Sequence, residues 1–277
     1  MTLRLPAWLW LLPFAIVFCA FQLAPMAWVA ISAFNVNGDW GLGHFQEIAQ
    51  SAFFRQAIWK SLTISLVSSA LGLIIATVTC HALMRSGPRL RRAMIAFTNM
   101  TSNFAGVPLA FAFIILLGAN GVLTLALQQL GIIEDVRLYS TGGLIVIYTW
   151  FQIPLGILLL FPAFSGLKAE WRDAAHLLGA GRIAYWQRIG LPVLWPALAG
   201  TFTVLFANAM GAYATVYALV NTSYNLMTIR IANLVAGDLF LEPNLASALA
   251  LVLVLLLVLV TLVQQWLLRR SAQHGSR

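Results

Sequence analysis

Polar side chains are scarce in this chain, and their spacing carries most of the information about chemistry. Asn99, Ser102, Asn103 and Gly106 stand at i, i+3, i+4 and i+7, one face of a helix. Thr201, Asn208 and Thr215 repeat every seven residues, with Tyr213 and Tyr217 nearby. Uncharged groups in such rows can line a path for a solute. They can equally hydrogen-bond packed helices to one another, at ~0.6 kcal/mol each, and both readings stay open here. Ser61, Ser65 and Ser69, with Ser68, Gly72 and Ala76, are small residues about four apart and favour close helix packing. Bond-breaking chemistry has no visible apparatus. The chain has no G-x-x-x-x-G-K-[ST] phosphate loop. His44, His81, His176 and His274 are scattered, and no Ser/His/Asp, Cys/His or paired-carboxylate set accompanies them. Cys19 and Cys80 both sit inside apolar stretches and read as packing thiols, not a disulfide or a metal pair.

The elements that must position these residues follow from composition. Apolar residues make up 61% of the 277 residues and charged residues 9%, against ~25% charged in soluble domains. Sixteen basic and eight acidic residues cannot coat a soluble surface of this size. Disorder and a small disulfide-framed domain are excluded on the same grounds. A mean hydropathy of +0.88 agrees with an integral membrane protein. Crossing the bilayer core takes ~20 apolar residues in a helix. Six stretches qualify: 7–34, 61–84, 93–117, 141–165, 191–220 and 246–268, none of them containing Asp, Glu, Lys or Arg. Continuous runs of this length favour helices over alternating barrel strands. The expected fold is therefore all-α, with six transmembrane helices. The first stretch is too long for a signal peptide and is followed by no A-x-A site, so it reads as a retained span.

Loop charges orient the spans. With the N-terminus inside, the inner segments hold Arg4, Arg85, Arg89, Arg91, Arg92, Lys168, Arg172, Arg182, Arg188, Arg269, Arg270 and Arg277 against only Glu170 and Asp173. The outer loops hold Arg55, Lys60, Arg137 and Arg230 against Asp39, Glu47, Glu134, Asp135, Asp238 and Glu242. Positive-inside bias then predicts that both termini are cytoplasmic. The net charge of +8 is explained by topology, and a nucleic-acid partner is unnecessary. Anionic lipid headgroups are natural neighbours of the 85–92 turn. Three expected regions follow: 1–54 with the first span and its outer loop, a core over 55–268, and a basic tail over 269–277. The outer loops 35–60, 118–140 and 221–245 are long enough to hold short helices or a function.

The inner loop from Lys168 to Pro192 is unusual. Residues 169–178 are good helix formers, with Trp171, Ala174, Ala175 and Leu178 on one face. Gly179 and Gly181 bracket a turn. Residues 182–188 can form a second short helix, and Pro192 suits the first turn of the fifth span. An interfacial hairpin that merely caps the bundle would explain the tryptophans. It would not explain two alanines at the centre of an apolar face, which suit close approach to a protein groove.

This loop resembles that of the permeases of binding-protein-dependent ABC importers, whose pattern is Glu-Ala-Ala, three residues, Gly, nine residues, Ile, one residue, Leu-Pro. Here Asp173, Ala174 and Ala175 are followed by Gly179, then by Ile189, Leu191 and Pro192, with Asp in place of Glu. At roughly one chance in ten per position, seven matches arise about once in 10⁷ starts, or tenfold more often given the Ala and Leu enrichment. The resemblance implies a cytoplasmic coupling helix between spans four and five that docks on a separate ATP-binding subunit. Asp173 would supply a polar contact, with Glu170 one turn earlier as its substitute. Ala174 and Ala175 would give close packing and Gly179 the turn. Ile189, Leu191 and Pro192 would tie the loop to the fifth span. It further implies two ATP-binding subunits, a second permease (identical or sister) and an extracytoplasmic solute-binding protein. ATP and Mg would be used by the partner ATPase, with no cofactor or metal on this chain and no enzyme activity of its own. The setting would be a bacterial inner membrane. Spans over 55–268 look like the type I importer core. The run from Glu242 to Ala248, and Leu11 to Pro13 with Leu23 to Pro25, look like members handling polyamines, ferric iron, thiamine or phosphonates. A polyamine or similar small charged solute is the substrate expectation.

The rival class is an ATP-independent carrier or channel. Ionisable residues inside the spans, or pseudo-symmetric halves with broken helices, would favour it, and the spans carry no charge. Under the importer reading, Asn99, Ser102, Asn103, Thr201, Asn208 and Thr215 are candidates for the translocation path. Gly179→Asp is expected to leave the protein inserted and to abolish uptake, because Asp disfavours the turn and adds charge at the docking face. Unchanged uptake with normal ATPase assembly would refute that assignment.

Overall fold

The computed structural model describes residues 7–36, 38–131, 138–237 and 241–274, with side chains over 11–270. Arg4, Glu134, Asp135, Arg137, Asp238 and Arg277, which entered the charge count, lie outside the described residues. The first span comprises α1 (Ala7–Phe18) and α2 (Ala24–Ser32), joined without interruption by one wide turn over Cys19–Leu23. A short antiparallel pair follows, β1 (Asn35–Val36) with β2 (Asp39–Trp40), in register Asn35 to Trp40. Then come α3 (Gly43–Gln50), α4 (Ala52–Arg85), α5 (Pro88–Ser102), α6 (Val107–Leu117), α7 (Val122–Gln129) and α8 (Thr141–Ser165). The chain continues through α9 (Ala169–Leu177), α10 (Arg182–Tyr185), a wide turn over Trp186–Gly190, α11 (Leu191–Gly211), α12 (Ala214–Val220), α13 (Met227–Ala236) and α14 (Pro243–His274).

Among the described residues six helical segments are long and apolar enough to cross a membrane: Leu11–Ser32, Ala52–Arg85, Val107–Gln129, Thr141–Ser165, Arg182–Gly211 and Pro243–Arg270. The number matches expectation, but three sets of bounds do not, the second span starting at Ala52 where 61 was expected. The third span was expected over 93–117. The helix breaks at 103–106, and the apolar segment long enough to cross starts only at Val107. Gly106 adopts φ +73°, a conformation that glycine tolerates. Pro108 stands at the second position of α6, where a missing N–H is harmless, whereas it could not continue a helix through 104. The fifth span was expected over 191–220. It starts earlier, at Arg182, and breaks after Gly211, with Ala212 extended at ψ 105°.

Helix α8 is the centre of the bundle. It packs along α4, with α11 and α5 against its other sides. The contact with α4 is close because both helices present small residues. A Cβ on Gly72 would lie 2.8 Å from the Gln152 Cβ, and one on Gly156 would lie 2.9 Å from the Ala76 Cβ. Ser61, Ser65, Ser68 and Ser69 are all buried along this face of α4. At mid-bundle Gln152 is fully buried, and its Nε2 donates to Ser69 Oγ at 2.9 Å and to the Leu205 carbonyl at 3.0 Å, joining α4, α8 and α11.

Both ends carry polar anchors. At one end Asn225 Nδ2 donates to the Phe53 carbonyl (2.8 Å) and to Gln56 Oε1 (3.1 Å). Arg230 Nε donates to Asn225 Oδ1 at 2.8 Å while its guanidinium lies 4.6 Å above the Phe53 ring. Burial holds the Arg230 pKa below its ordinary value. At the other end His81 meets the Trp186 ring edge-on at 5.0 Å, and Ser165 contacts Met84. Arg85, Lys168, Arg182 and Arg269 gather at this second end. The short connectors α3 and α13 fill long loops of the other end, as their length suggested, whereas α7 falls within the third crossing segment.

A Gly156→Val substitution is expected to push α4 from α8 and destabilise the protein by about 1–3 kcal/mol, the range for overpacking. Gly87→Ala meets no atom within 4 Å and should be silent. Thermal unfolding of the two variants in detergent checks the contrast.

Candidate functional site

Two places bring the singled-out residues together: the loop at the basic end, and the paired helix breaks inside the bundle. In the loop, α9 ends as the glycines require. Gly179 adopts φ +77°, its N–H donates to the His176 carbonyl at 3.0 Å, and the Ala180 N–H donates to the Ala175 carbonyl at 2.9 Å. That double bond is the left-handed helix stop in which glycine is favoured. The expected apolar face of α9 does not pack on the bundle. Ala175 is its one buried residue, while Trp171, Ala174 and the following Leu178 are exposed. Leu177 and Leu178 are 90% and 87% exposed. Glu170 and Asp173 are also exposed, with Asp173 only loosely paired to Arg172 at 3.8 Å.

The second short helix expected over 182–188 is not separate. α10, the wide turn and α11 run on as one 30-residue helical rod from Arg182 to Gly211. Within the wide turn glycine leaves room for a neighbour: a Cβ on Gly190 would lie 2.5 Å from the Trp186 ring. Trp186 can therefore lie flat over Gly190 while its ring meets His81 of α4 and Tyr185. Ile189 is half-buried, Leu191 and Pro192 are exposed, and Leu194 is the first fully buried residue of the span proper.

The second place was missed from sequence. The break between α5 and α6 lies against that between α11 and α12. The Gly106 N–H donates to Thr215 Oγ1 at 3.1 Å, and a Cβ on Gly106 would lie 3.8 Å from the Ala214 Cβ. On the other side of the break, the Ala212 carbonyl accepts from Tyr148 Oη at 3.2 Å and from Thr228 Oγ1 at 3.4 Å. Backbone groups freed at membrane depth have to find such partners. The sequence signal was Gly106 followed by Pro108, inside a stretch otherwise read as continuous.

These breaks divide the candidate path residues. Thr215 is buried and bonded to Gly106, so it ties the two breaks together. Thr201 is buried two turns before Asn208, which is exposed. The interruption at 212–213 takes Thr215 out of the seven-residue row, while Thr201 and Asn208 share α11 and differ in burial. Ser102 Oγ and Asn103 Nδ2 both donate to the Asn99 carbonyl at 2.9 Å. They satisfy the end of α5, while Asn99 and Asn103 remain exposed. Just past the other break Tyr213 and Tyr217 stack at 5.2 Å, both exposed.

Comparison with known proteins decides the class. Residues 68–273 match the family described as the binding-protein-dependent transport system inner membrane component. The chain belongs to this family. Among its relatives, ORF1 of Streptomyces antibioticus, a protein named as an ABC transporter permease, is 26% identical over 57% of this chain and 62% of its own length. The thiamine transport system permease protein ThiP of Escherichia coli (strain K12) is 24% identical over 88% of this chain. The chain spans about half the length of that relative, 46%. The spermidine/putrescine permease PotC of Haemophilus influenzae is 22% identical over 78% of this chain and 77% of its own. A bacterial ABC transporter that imports the acidic polysaccharide alginate has a subunit with the same fold: TM-score 0.77, 19% identity, 95% of this chain and 94% of that one covered. This chain is thus a multi-pass permease of the type I importer class. Pseudo-symmetric halves with broken helices would have favoured a carrier, and the helix breaks here fall within the stretch that matches the family.

Thr215→Val should leave the Gly106 N–H without its partner at the junction of the breaks, at a cost of about 1–3 kcal/mol. Thr215→Ser retains the oxygen and should behave like the parent. A matched loss of thermal stability in both variants would contradict this role for the hydroxyl.

Proposed function

We propose that this chain is the permease subunit of an ATP-driven importer, coupled to a separate ATPase through the 169–192 loop. The supporting observation is the state of α9. A soluble-facing helix gains nothing by displaying Leu177 and Leu178 almost bare unless another protein covers them. Its end is fixed by the Gly179 turn, and the chain returns at once into the continuous rod of α10 and α11. Displacement of the α9–α10 hairpin can therefore reach the break at 212–213 along one helical rod. In this reading Glu170 and Asp173 make polar contacts with the motor subunit, Ala174 permits close approach, and Ile189, Leu191 and Pro192 belong to the foot of the rod. Two ATPase subunits, a second permease and a solute-binding protein complete the assembly, with Mg and ATP bound by the motor. The basic end, with both chain termini, faces the cytoplasm.

The solute path in this proposal runs over the exposed polar residues beside the paired breaks, Asn99, Asn103 and Asn208, with the Tyr213 and Tyr217 rings. Thr201, Thr215 and Ser102 act there as packing and capping groups. Relatives are named for thiamine and for spermidine and putrescine. A small cationic solute such as a polyamine suits stacked tyrosine faces and the acidic balance of the outer loops.

The test is assembly. Leu177→Glu with Leu178→Glu should leave the permease inserted while an ATPase encoded beside it no longer co-purifies and uptake stops. Undiminished co-purification would remove the docking role from α9.

A further inference from the structure

At the basic end a cavity of about 740 Å³ opens between the last turns of α4 and α8 and the hairpin of α9 and α10. Arg85, Lys168, Arg172 and Arg182 line it, together with His81 and His176. Four basic side chains thus converge on one concavity, from the end of α4, from α9 and its first edge, and from α10. Its lining contains no carboxylate. Among the described residues Arg85, Lys168 and Arg182 form no ion pair, and the Arg172 contact with Asp173 is long, between groups more than half exposed. Like charges gathered in this way without a counter-charge repel one another. The wall towards the bundle is apolar and aromatic, formed by Phe164, Tyr185 and Trp186, and tryptophan and tyrosine favour the level of lipid headgroups.

We propose that this cavity binds a phosphate-bearing anion, and that its source is the headgroup of an anionic phospholipid of the adjoining leaflet. Guanidinium groups bind phosphate oxygens in pairs through parallel N–H donors, and Arg85, Arg172 and Arg182 can do so from three different elements. The phosphate would bridge the end of α4 to the hairpin of α9 and α10, holding the loop in place before the motor subunit arrives. Which leaflet supplies the lipid rests on the orientation proposed above; the binding itself does not.

The whole chain, purified in uncharged detergent and stripped of lipid, provides the test. Dioleoyl phosphatidylglycerol, dioleoyl phosphatidylcholine and glycerol 3-phosphate are the probes, read by thermal unfolding and by native mass spectrometry. Phosphatidylglycerol is expected to raise the unfolding midpoint by several degrees and to remain bound in the gas phase, while phosphatidylcholine does neither. Arg85→Gln with Arg182→Gln should weaken the effect roughly tenfold or more, as expected for loss of charge-assisted bonds. Arg188→Gln with Arg269→Gln, which removes the same charge at the same end but outside the cavity, should leave it unchanged. Equal effects of the two lipids, or equal losses in the two double variants, would overturn the site. An equal shift with glycerol 3-phosphate alone would overturn the lipid source. Should the cavity variant fail to fold, selective retention of phosphatidylglycerol by the parent chain, released by high salt, decides the matter. These measurements involve neither ATPase nor transport, so their failure is distinct from failure of the importer reading.

Discussion

Inside a bilayer every peptide N–H and C=O has to be answered by protein, because lipid offers no hydrogen bond. That constraint explains why the two interrupted helices are found together. Opening α5 from α6 frees the Gly106 N–H, and Thr215 answers it across the gap. Opening α11 from α12 frees the Ala212 carbonyl, and Tyr148 and Thr228 answer it. Neither interruption could sit alone against lipid. Together they place irregular backbone next to exposed amides and tyrosines. The central position of α8 follows as well, since Tyr148 must reach the break while Gln152, one turn on, bonds to α4 and α11.

The helix packing serves the same end. Small residues on α4 and α8 bring their backbones close, so that short polar side chains can reach across. Hydrophobic attraction between helices is weak in lipid, and close van der Waals fit with a few hydrogen bonds takes over. This accounts for a chain so rich in leucine placing serine, glycine and alanine along its most intimate interface. The loop at the basic end is built differently, from glycine turns and a tryptophan folded over Gly190, where water can satisfy the backbone.

Much of this was legible in the sequence, for identifiable reasons. Span number came through because charge exclusion from long apolar runs is a strong signal. The Gly179 turn came through because a left-handed helix stop favours glycine. The breaks at 103–106 and 212–213 did not, since hydropathy is blind to where a run of apolar residues ceases to be helical. Gly106 with Pro108 offered a hint for the first break. The second has only Gly211, and it is held by Tyr148 of α8, 64 residues away, and by Thr228 of α13, 16 residues on. The role of Thr215 was hidden for the same reason: a seven-residue repeat from Thr201 and Asn208 reaches it only while the helix persists. The apolar side of α9 was read correctly as a pattern, but a pattern does not say whether its own bundle covers it.

The unbroken run from Arg182 to Gly211 has a mechanical corollary. At 1.5 Å per residue it is about 45 Å long, so a tilt of about 5° about one end moves the other by ~4 Å. A modest rotation imposed at the base would thus be enlarged into a displacement comparable to the width of a small solute. The stiff lever ends where the chain loosens, at the gap lined by tyrosines.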